Sequence, residues 1–121
     1  MKKILVIDDD EYSLLLISDL LNFYNFQVIA AGNGSQGLQL ALSQSPDLII
    51  CALDLSQPNG YEVLRQLRFD PTTANIPVLF LTVEIDIATR RRGLQLGANG
   101  YIIKPINLNQ LLSAIASILG E

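Results

Sequence analysis

Short β-branched apolar runs alternate with longer stretches of helical period five times along the chain. "KILVI" leads into "DEYSLLLISDLLNFY", "QVIAA" into "SQGLQLALSQS", "LIICAL" into "GYEVLRQLRFD", "VLFLT" into "ATRRRGLQLGA", and "YII" into "NLNQLLSAIASIL". Strand-length runs of Val, Ile and Leu, each followed by an amphipathic segment, predict a (βα)5 chain. Runs this uniformly apolar are buried on both faces. That requires a parallel sheet with helices on either side and right-handed crossovers. Five units are too few to close a barrel, so the expected fold is an open, doubly wound α/β sandwich, a single domain over residues 1–121. Local signals agree: Asp10 and Asn107 suit helix N-caps, Gly97 and Gly120 suit helix stops, and Asp70-Pro71 is a break.

In open α/β sheets a ligand sits beyond the carboxyl ends of the strands, so the residue ending each apolar run is the one to inspect. The first run stops at Asp8-Asp9, the fourth at Thr82 and the fifth at Lys104-Pro105. The third run, Leu48 to Leu53, goes on to Asp54 before meeting a polar group, and Ala52 stands where the other strands lead one to expect one. Carboxylates gathered at one edge repel each other unless a cation compensates, and a hard divalent ion such as Mg²⁺, or a lysine, does so. An acidic pair, a hydroxyl and a lysine are what phosphoryl chemistry uses: metal and ammonium neutralise phosphate oxygens and the hydroxyl hydrogen-bonds one of them. A nucleophilic carboxylate would complete the set.

Composition narrows the chemistry further. The chain has no histidine, which removes Ser-His, Cys-His and histidine–metal chemistry, and its net charge of −4 argues against bulk attraction to nucleic acid. The lone cysteine, Cys51, lies inside an apolar run, so there is no disulfide framework and no metal spacing, which suits a reducing compartment. It reads as an inert core thiol. Half of the residues are hydrophobic, yet no run is long enough for a membrane helix and no targeting segment is evident; a soluble, cytoplasmic domain is expected. "GNGSQG" fits a dinucleotide fingerprint, but the simpler account is an Asn33-Gly34 turn with Gly37 allowing close helix packing. Asp8-Asp9-Asp10 could merely cap a helix, Arg90-Arg91-Arg92 reads as a solvated face, and Tyr101 alone reads as a half-buried strand aromatic. The first helix, "YSLLLISDLLNFYNF", carries more apolar side chains than one core face requires.

Taken in order, "ILVIDDDE", "AAGNGSQGL", "PDLIIC", "NGYEVLRQLR", "IPVLFLT" and "LGANGYIIKP" resemble the response-regulator receiver domain of bacterial two-component signalling, over essentially the whole chain. The resemblance implies a flavodoxin-like sheet of strand order 2-1-3-4-5. It matches Asp8 and Asp9 to the metal-binding acidic pair and the backbone carbonyl of Asp54 to a further metal ligand. Thr82 matches the switch hydroxyl, Tyr101 the aromatic that changes rotamer on activation, Lys104 the phosphate-binding lysine and Pro105 a proline preceded by a cis bond. Members take a phosphoryl group from a histidine kinase or histidine phosphotransfer domain with Mg²⁺, and signal to a downstream effector through the face of the fourth helix, fifth strand and fifth helix. They also dock partners with the first helix, and dimerisation is open.

The departure lies on the third strand. Aligned without gaps between "PDLIIC" and "GYEVL", the chain has Ala52 at the phosphoacceptor position, Ser56 at the family's proline and Asn59 at its second aspartate. A methyl group cannot be phosphorylated, and its presence also removes a metal ligand and the usual partner of Lys104. The chain is therefore expected to be a pseudo-receiver with weakened Mg²⁺ binding. Sliding Asp54 onto the acceptor position, with Pro58 on the proline, is the rival alignment. Without it, Asp54 is still expected to share a face with Ala52 and to be able to pair with Lys104. An enzyme or ligand binder on the same fold, a phosphatase or a flavin module, and a scaffold needing neither metal nor phosphate are the competing classes.

Overall fold

The computed structural model describes residues 1–83 and 86–120. Five strands and five helices alternate: β1 (Lys3–Ile7), α1 (Glu11–Phe23), β2 (Gln27–Ala31), α2 (Gly34–Gln44), β3 (Leu48–Ala52), α3 (Gly60–Phe69), β4 (Val78–Thr82), α4 (Ile87–Leu96), β5 (Gly100–Ile103) and α5 (Leu108–Leu119). The strands form one five-stranded sheet in the order β2-β1-β3-β4-β5, with every pairing parallel. The alternating pattern predicts an open parallel sheet, and this flavodoxin-like strand order is the one the family resemblance implies. The order reverses between β1 and β3, which opens a crevice at their carboxyl ends.

Why these residues form strands is visible in their burial. β3 and β4 are buried along their whole length and β1 nearly so, because helices cover both of their faces. The edge strands β2 and β5 are only partly covered. Leu5, Ile7, Ile49, Cys51 and Phe80 pack toward Val63, Leu64 and Leu67 of α3 on one side of the sheet. Ile4, Val6, Ile50 and Leu81 pack toward Ile17 and Leu21 of α1 and Leu111 and Ile115 of α5 on the other. A side chain at Gly37 would run into Ile7, so its absence lets α2 approach the sheet. No helix among the described residues is long and apolar enough to cross a membrane.

Two local expectations differ from the structure. "GNGSQG" makes no Asn33-Gly34 turn: Asn33 is the N-cap of α2, its carboxamide oxygen accepting the Gln36 N–H at 2.8 Å, and Gly34 is already helical. An Asn side chain that satisfies a free N–H of the first turn starts a helix as readily as it makes a turn. The third apolar run is not a longer strand either. Its ladder ends at Ala52, so strict alternation no longer carries Asp54 onto the face of Ala52. The other signals hold, with Asp10 and Asn107 capping α1 and α5, and Gly97 and Gly120 closing α4 and α5 in left-handed conformations.

Candidate functional site

Strand register assembles the site. Ile7 pairs with Cys51 across β1 and β3, so the next residues, Asp8 and Ala52, leave the ladder side by side. β4 pairs Ala52 with Leu81, and the amide of Leu53 donates to the Leu81 carbonyl at 2.8 Å, which puts Thr82 next in line. Thr82 in turn pairs with Ile103, and the Lys104 amide donates to the Thr82 carbonyl at 2.7 Å. Asp8, Ala52, Thr82 and Lys104 thus meet at one carboxyl edge. The Lys104–Pro105 peptide bond is cis, as is Gln57–Pro58.

Asp8 and Lys104 form an ion pair at 2.9 Å, with the carboxylate side chain 1% and the lysine side chain 18% exposed. The lysine Nζ donates to Oδ2, while Oδ1 accepts the Asp10 N–H at 3.0 Å. Both carboxylate oxygens are engaged. Lys104 is therefore not paired with Asp54, whose exposed carboxylate follows β3 between the buried Leu53 and Leu55. Asp9 beside it is exposed. Asp10 caps α1, accepting the Tyr12 N–H at 3.2 Å and the Ser13 hydroxyl at 2.8 Å. The Ser13 hydroxyl bond holds the Asp10 carboxyl below its ordinary value.

The donor set fits a hard cation loosely. No group of three or more His, Cys, Asp or Glu suited to a metal occurs among the described residues. Mg²⁺ keeps most of its waters and needs only one or two carboxylates, and Asp8 and Asp9 are the residues that would offer them. Ala52, which the family resemblance sets at the acceptor position, brings a buried methyl at 4% exposure to this edge and no carboxylate.

The β3–α3 segment forms the opposite rim. Asp54 and Asn59 line a cleft of about 590 Å³ together with Tyr61, Thr82, Thr89 and Arg92. Asn59 is committed as the N-cap of α3, accepting the Glu62 N–H at 3.0 Å. Thr82 is buried at 3% exposure. Tyr101 is half-buried on β5, its hydroxyl donating to the Thr89 carbonyl at 3.0 Å. Burial chiefly, and then the neighbouring Tyr61, push its phenol above the ordinary value. Cys51 is fully buried, and desolvation with the nearby Asp8 charge pushes its thiol far up, which makes it unreactive.

Sequence reasoning did not single out Tyr61 or Thr89. The only available signal was their position, one in the first turn of the third helix and the other in the first turn of the fourth, both beside strand ends. The apolar surplus of α1 is real: Tyr12, Leu15 and Phe23 are exposed at 74%, 58% and 77%. All three consecutive arginines are exposed, and Arg92 also stacks its guanidinium 4.3 Å from the Tyr61 ring centroid.

A parallel sheet of this order, with an acidic pair, a hydroxyl and a lysine at its carboxyl edge, is the arrangement that the resemblance to a receiver domain implies. The family model for the response regulator receiver domain matches residues 4–116, and the chain belongs to that family. It is 37% identical, over 98% of its length and 49% of the relative's, to the DNA-binding dual master transcriptional regulator RpaA of Synechocystis. It is 34% identical, over 98% of its length and 92% of the relative's, to a probable chemotaxis protein CheY of Rhizobium etli. The chain spans about half the length of several of the curated relatives it matches, RpaA among them. Among solved structures, the receiver domain of a Pseudomonas aeruginosa PAO1 sensor histidine kinase superposes with a TM-score of 0.90 at 25% identity, covering 99% of this chain and 98% of that one; it holds a magnesium ion in its active-site cleft. The two curated relatives are named as a transcriptional regulator and a chemotaxis protein.

Proposed function

We propose that residues 1–121 form a receiver domain that does not accept a phosphoryl group, a pseudo-receiver of two-component phosphorelay signalling. The observation that carries this reading is the register of β1 and β3, which sets Ala52, not Asp54, beside Asp8. The Asp8–Lys104 ion pair supports it. A lysine freed from an acceptor carboxylate has taken the nearest buried acid, and the edge is neutralised from within. Mg²⁺ binding at Asp8, Asp9 and the Asp54 carbonyl is then weak, with the ion's charge balanced by fewer carboxylates than a complete site offers.

Signalling runs through protein contacts. The face of α4, β5 and α5 exposes Ile87, Leu94 and Ile103 beside Arg90 and Arg91, a surface suited to an effector protein, or to a second copy in a homodimer. A histidine kinase or histidine phosphotransfer domain is the upstream partner, met on the exposed apolar side chains of α1. The domain acts in the cytoplasm, without direct contact with nucleic acid or membrane, and performs no turnover of its own.

A second reading has its own observation. Asp54 lines the same cleft as Thr82, so an exposed carboxylate lies beside the switch hydroxyl. Intact mass after incubation with a small-molecule phosphodonor and Mg²⁺ separates the two. A phosphoryl gained only by Ala52→Asp supports the pseudo-receiver. A phosphoryl gained by the unsubstituted chain and abolished by Asp54→Asn makes Asp54 the acceptor. Turnover of a generic phosphoester would instead move the protein to a phosphatase class, and bound flavin to a flavin module. Mg²⁺ that perturbs no amide near Asp9 would leave a scaffold.

A further inference from the structure

Two tyrosines from different elements hold one carbonyl of α4. Tyr61, in the first turn of α3, donates its hydroxyl to the Thr89 carbonyl at 3.0 Å, and Tyr101 of β5 donates to the same oxygen at 3.0 Å. Phe80 of β4 supports both rings, edge-on to Tyr61 with centroids 5.9 Å apart and tilted against Tyr101 at 5.6 Å. The Arg92 guanidinium, one turn along α4, covers the outer face of Tyr61. At Gly93 a side chain would collide with the Tyr101 hydroxyl, so the glycine makes the room in which that hydroxyl reaches the helix backbone. Thr89 belongs to the first turn of α4, and Tyr61 follows two residues after Asn59 on the rim of the cleft.

We propose that Tyr61 is a positioning residue for α4: it shares the Thr89 carbonyl with Tyr101, so that the placement of α4 answers to the β3–α3 rim as well as to β5. A carbonyl oxygen has two lone pairs, so it can accept from both hydroxyls at once. Removing one leaves the other free to align better, and removing both leaves the turn with its Asp86 cap alone. The aromatic stack keeps the rings in place meanwhile, so the hydroxyls can be tested without emptying the core. Loss of the acceptor carboxylate at Ala52 does not touch this linkage. The consequence for signalling rests on the reading of α4 as part of the output face; the linkage itself does not.

The test is amide hydrogen exchange along α4 in the unsubstituted chain, Tyr61→Phe, Tyr101→Phe and the double variant. One net hydrogen bond corresponds to about a threefold to tenfold change in local opening. Each single variant is expected to speed exchange in the first turn of α4 by about threefold, and the double variant by clearly more than the product of the two. A further expectation is that the ¹³Cζ titration midpoint of Tyr101, whose charged neighbours include Arg90, falls toward the ordinary tyrosine value in Tyr61→Phe. Single effects that simply multiply would show independent contacts and overturn the shared clamp. So would a Tyr61→Phe change that is silent in both backgrounds, a midpoint that does not move, or faster exchange spread equally over β1 and β3. Because no partner, metal or phosphodonor is used, failure here leaves the pseudo-receiver reading standing, and failure of that reading leaves this one.

Discussion

Two parts of the sheet's carboxyl edge, its two rims, are built on opposite terms. On the β1–β5 rim, Asp8 and Lys104 are withdrawn from water, paired with each other, and tied to the backbone through the Asp10 N–H and the Thr82 carbonyl. On the β3–α4 rim, Asp54 is exposed, Asn59 is spent on a helix cap, and the polar contacts run to backbone groups of α3 and α4. The first rim has a structural use for its charges whether or not a phosphoryl group ever arrives. The second does not depend on the acceptor position at all: β3 ends at Ala52 with its ladder intact and a methyl in the core. On the proposed reading the receiver fold survives an alanine at the acceptor position, whereas loss of the acid that follows β1 is expected to be felt at once.

The largest way to break that contrast is Asp8→Ala. It leaves the Lys104 ammonium largely buried without its partner and deprives the Asp10 N–H of an acceptor, at a cost of about 3 kcal/mol in urea unfolding. Asp8→Asn, which still accepts from that N–H, is expected to cost roughly half as much. Equal losses for the two variants would mean that shape rather than charge is what Asp8 contributes. Next comes Ala52→Asp, which returns a carboxylate to the edge. It should weaken the apo protein through repulsion from Asp8 and competition for Lys104, and gain more from Mg²⁺ than the unsubstituted chain does. At about 10 mM Mg²⁺ and a dissociation constant on the order of 1 mM, the linkage is about 1.4 kcal/mol. If the chain as written gains as much, the missing carboxylate is not what limits its metal site.

How far all this could be read beforehand depended on the kind of information. Strand runs such as "VLFLT", which coincides with β4, are legible because a strand covered by helices on both faces is apolar along its length, and that pattern is local. The ends of those runs located Asp8, Thr82 and Lys104 at one edge for the same reason. What stayed hidden was pairing. Nothing local distinguishes Asp8 from Asp54 as the partner of Lys104; the register of three strands decides it. Nor does spacing reveal that Tyr61 and Tyr101, forty positions apart, reach one carbonyl, since that depends on where α4 lies over β4 and β5. Asn33 shows a third limit: an Asn-Gly pair serves a turn and a helix cap equally well, and only the chain that follows chooses.

On the other rim the effects are expected to be small. Asp54→Asn removes an exposed charge with no ion pair among the described residues, so its unfolding free energy should shift by less than about 0.5 kcal/mol. A loss as large as that of Asp8→Ala would mean that Asp54 is structurally engaged and that the contrast between the rims is mistaken.

The smallest effect is one of pH, at the start of α4. Asp86 caps that helix, accepting the Thr89 N–H at 2.7 Å, and this backbone bond holds its carboxyl below the ordinary value. A depressed carboxyl stabilises the fold fully above its unfolded pKa and ceases to do so as the pH falls through the folded one. The first turn of α4 should therefore loosen below about pH 4, in the range of ordinary carboxylates and lower, while the Ile4–Ile7 ladder is unaffected. Amide shifts of Thr89 and Arg90 followed downward in pH would show it, and Asp86→Asn, whose carboxamide still accepts the bond, should flatten the curve. Thr89 is then the residue at which the cap from below and the two tyrosine hydroxyls from the side converge. A pH response confined to Asp86 itself would show that the cap and the clamp hold α4 separately.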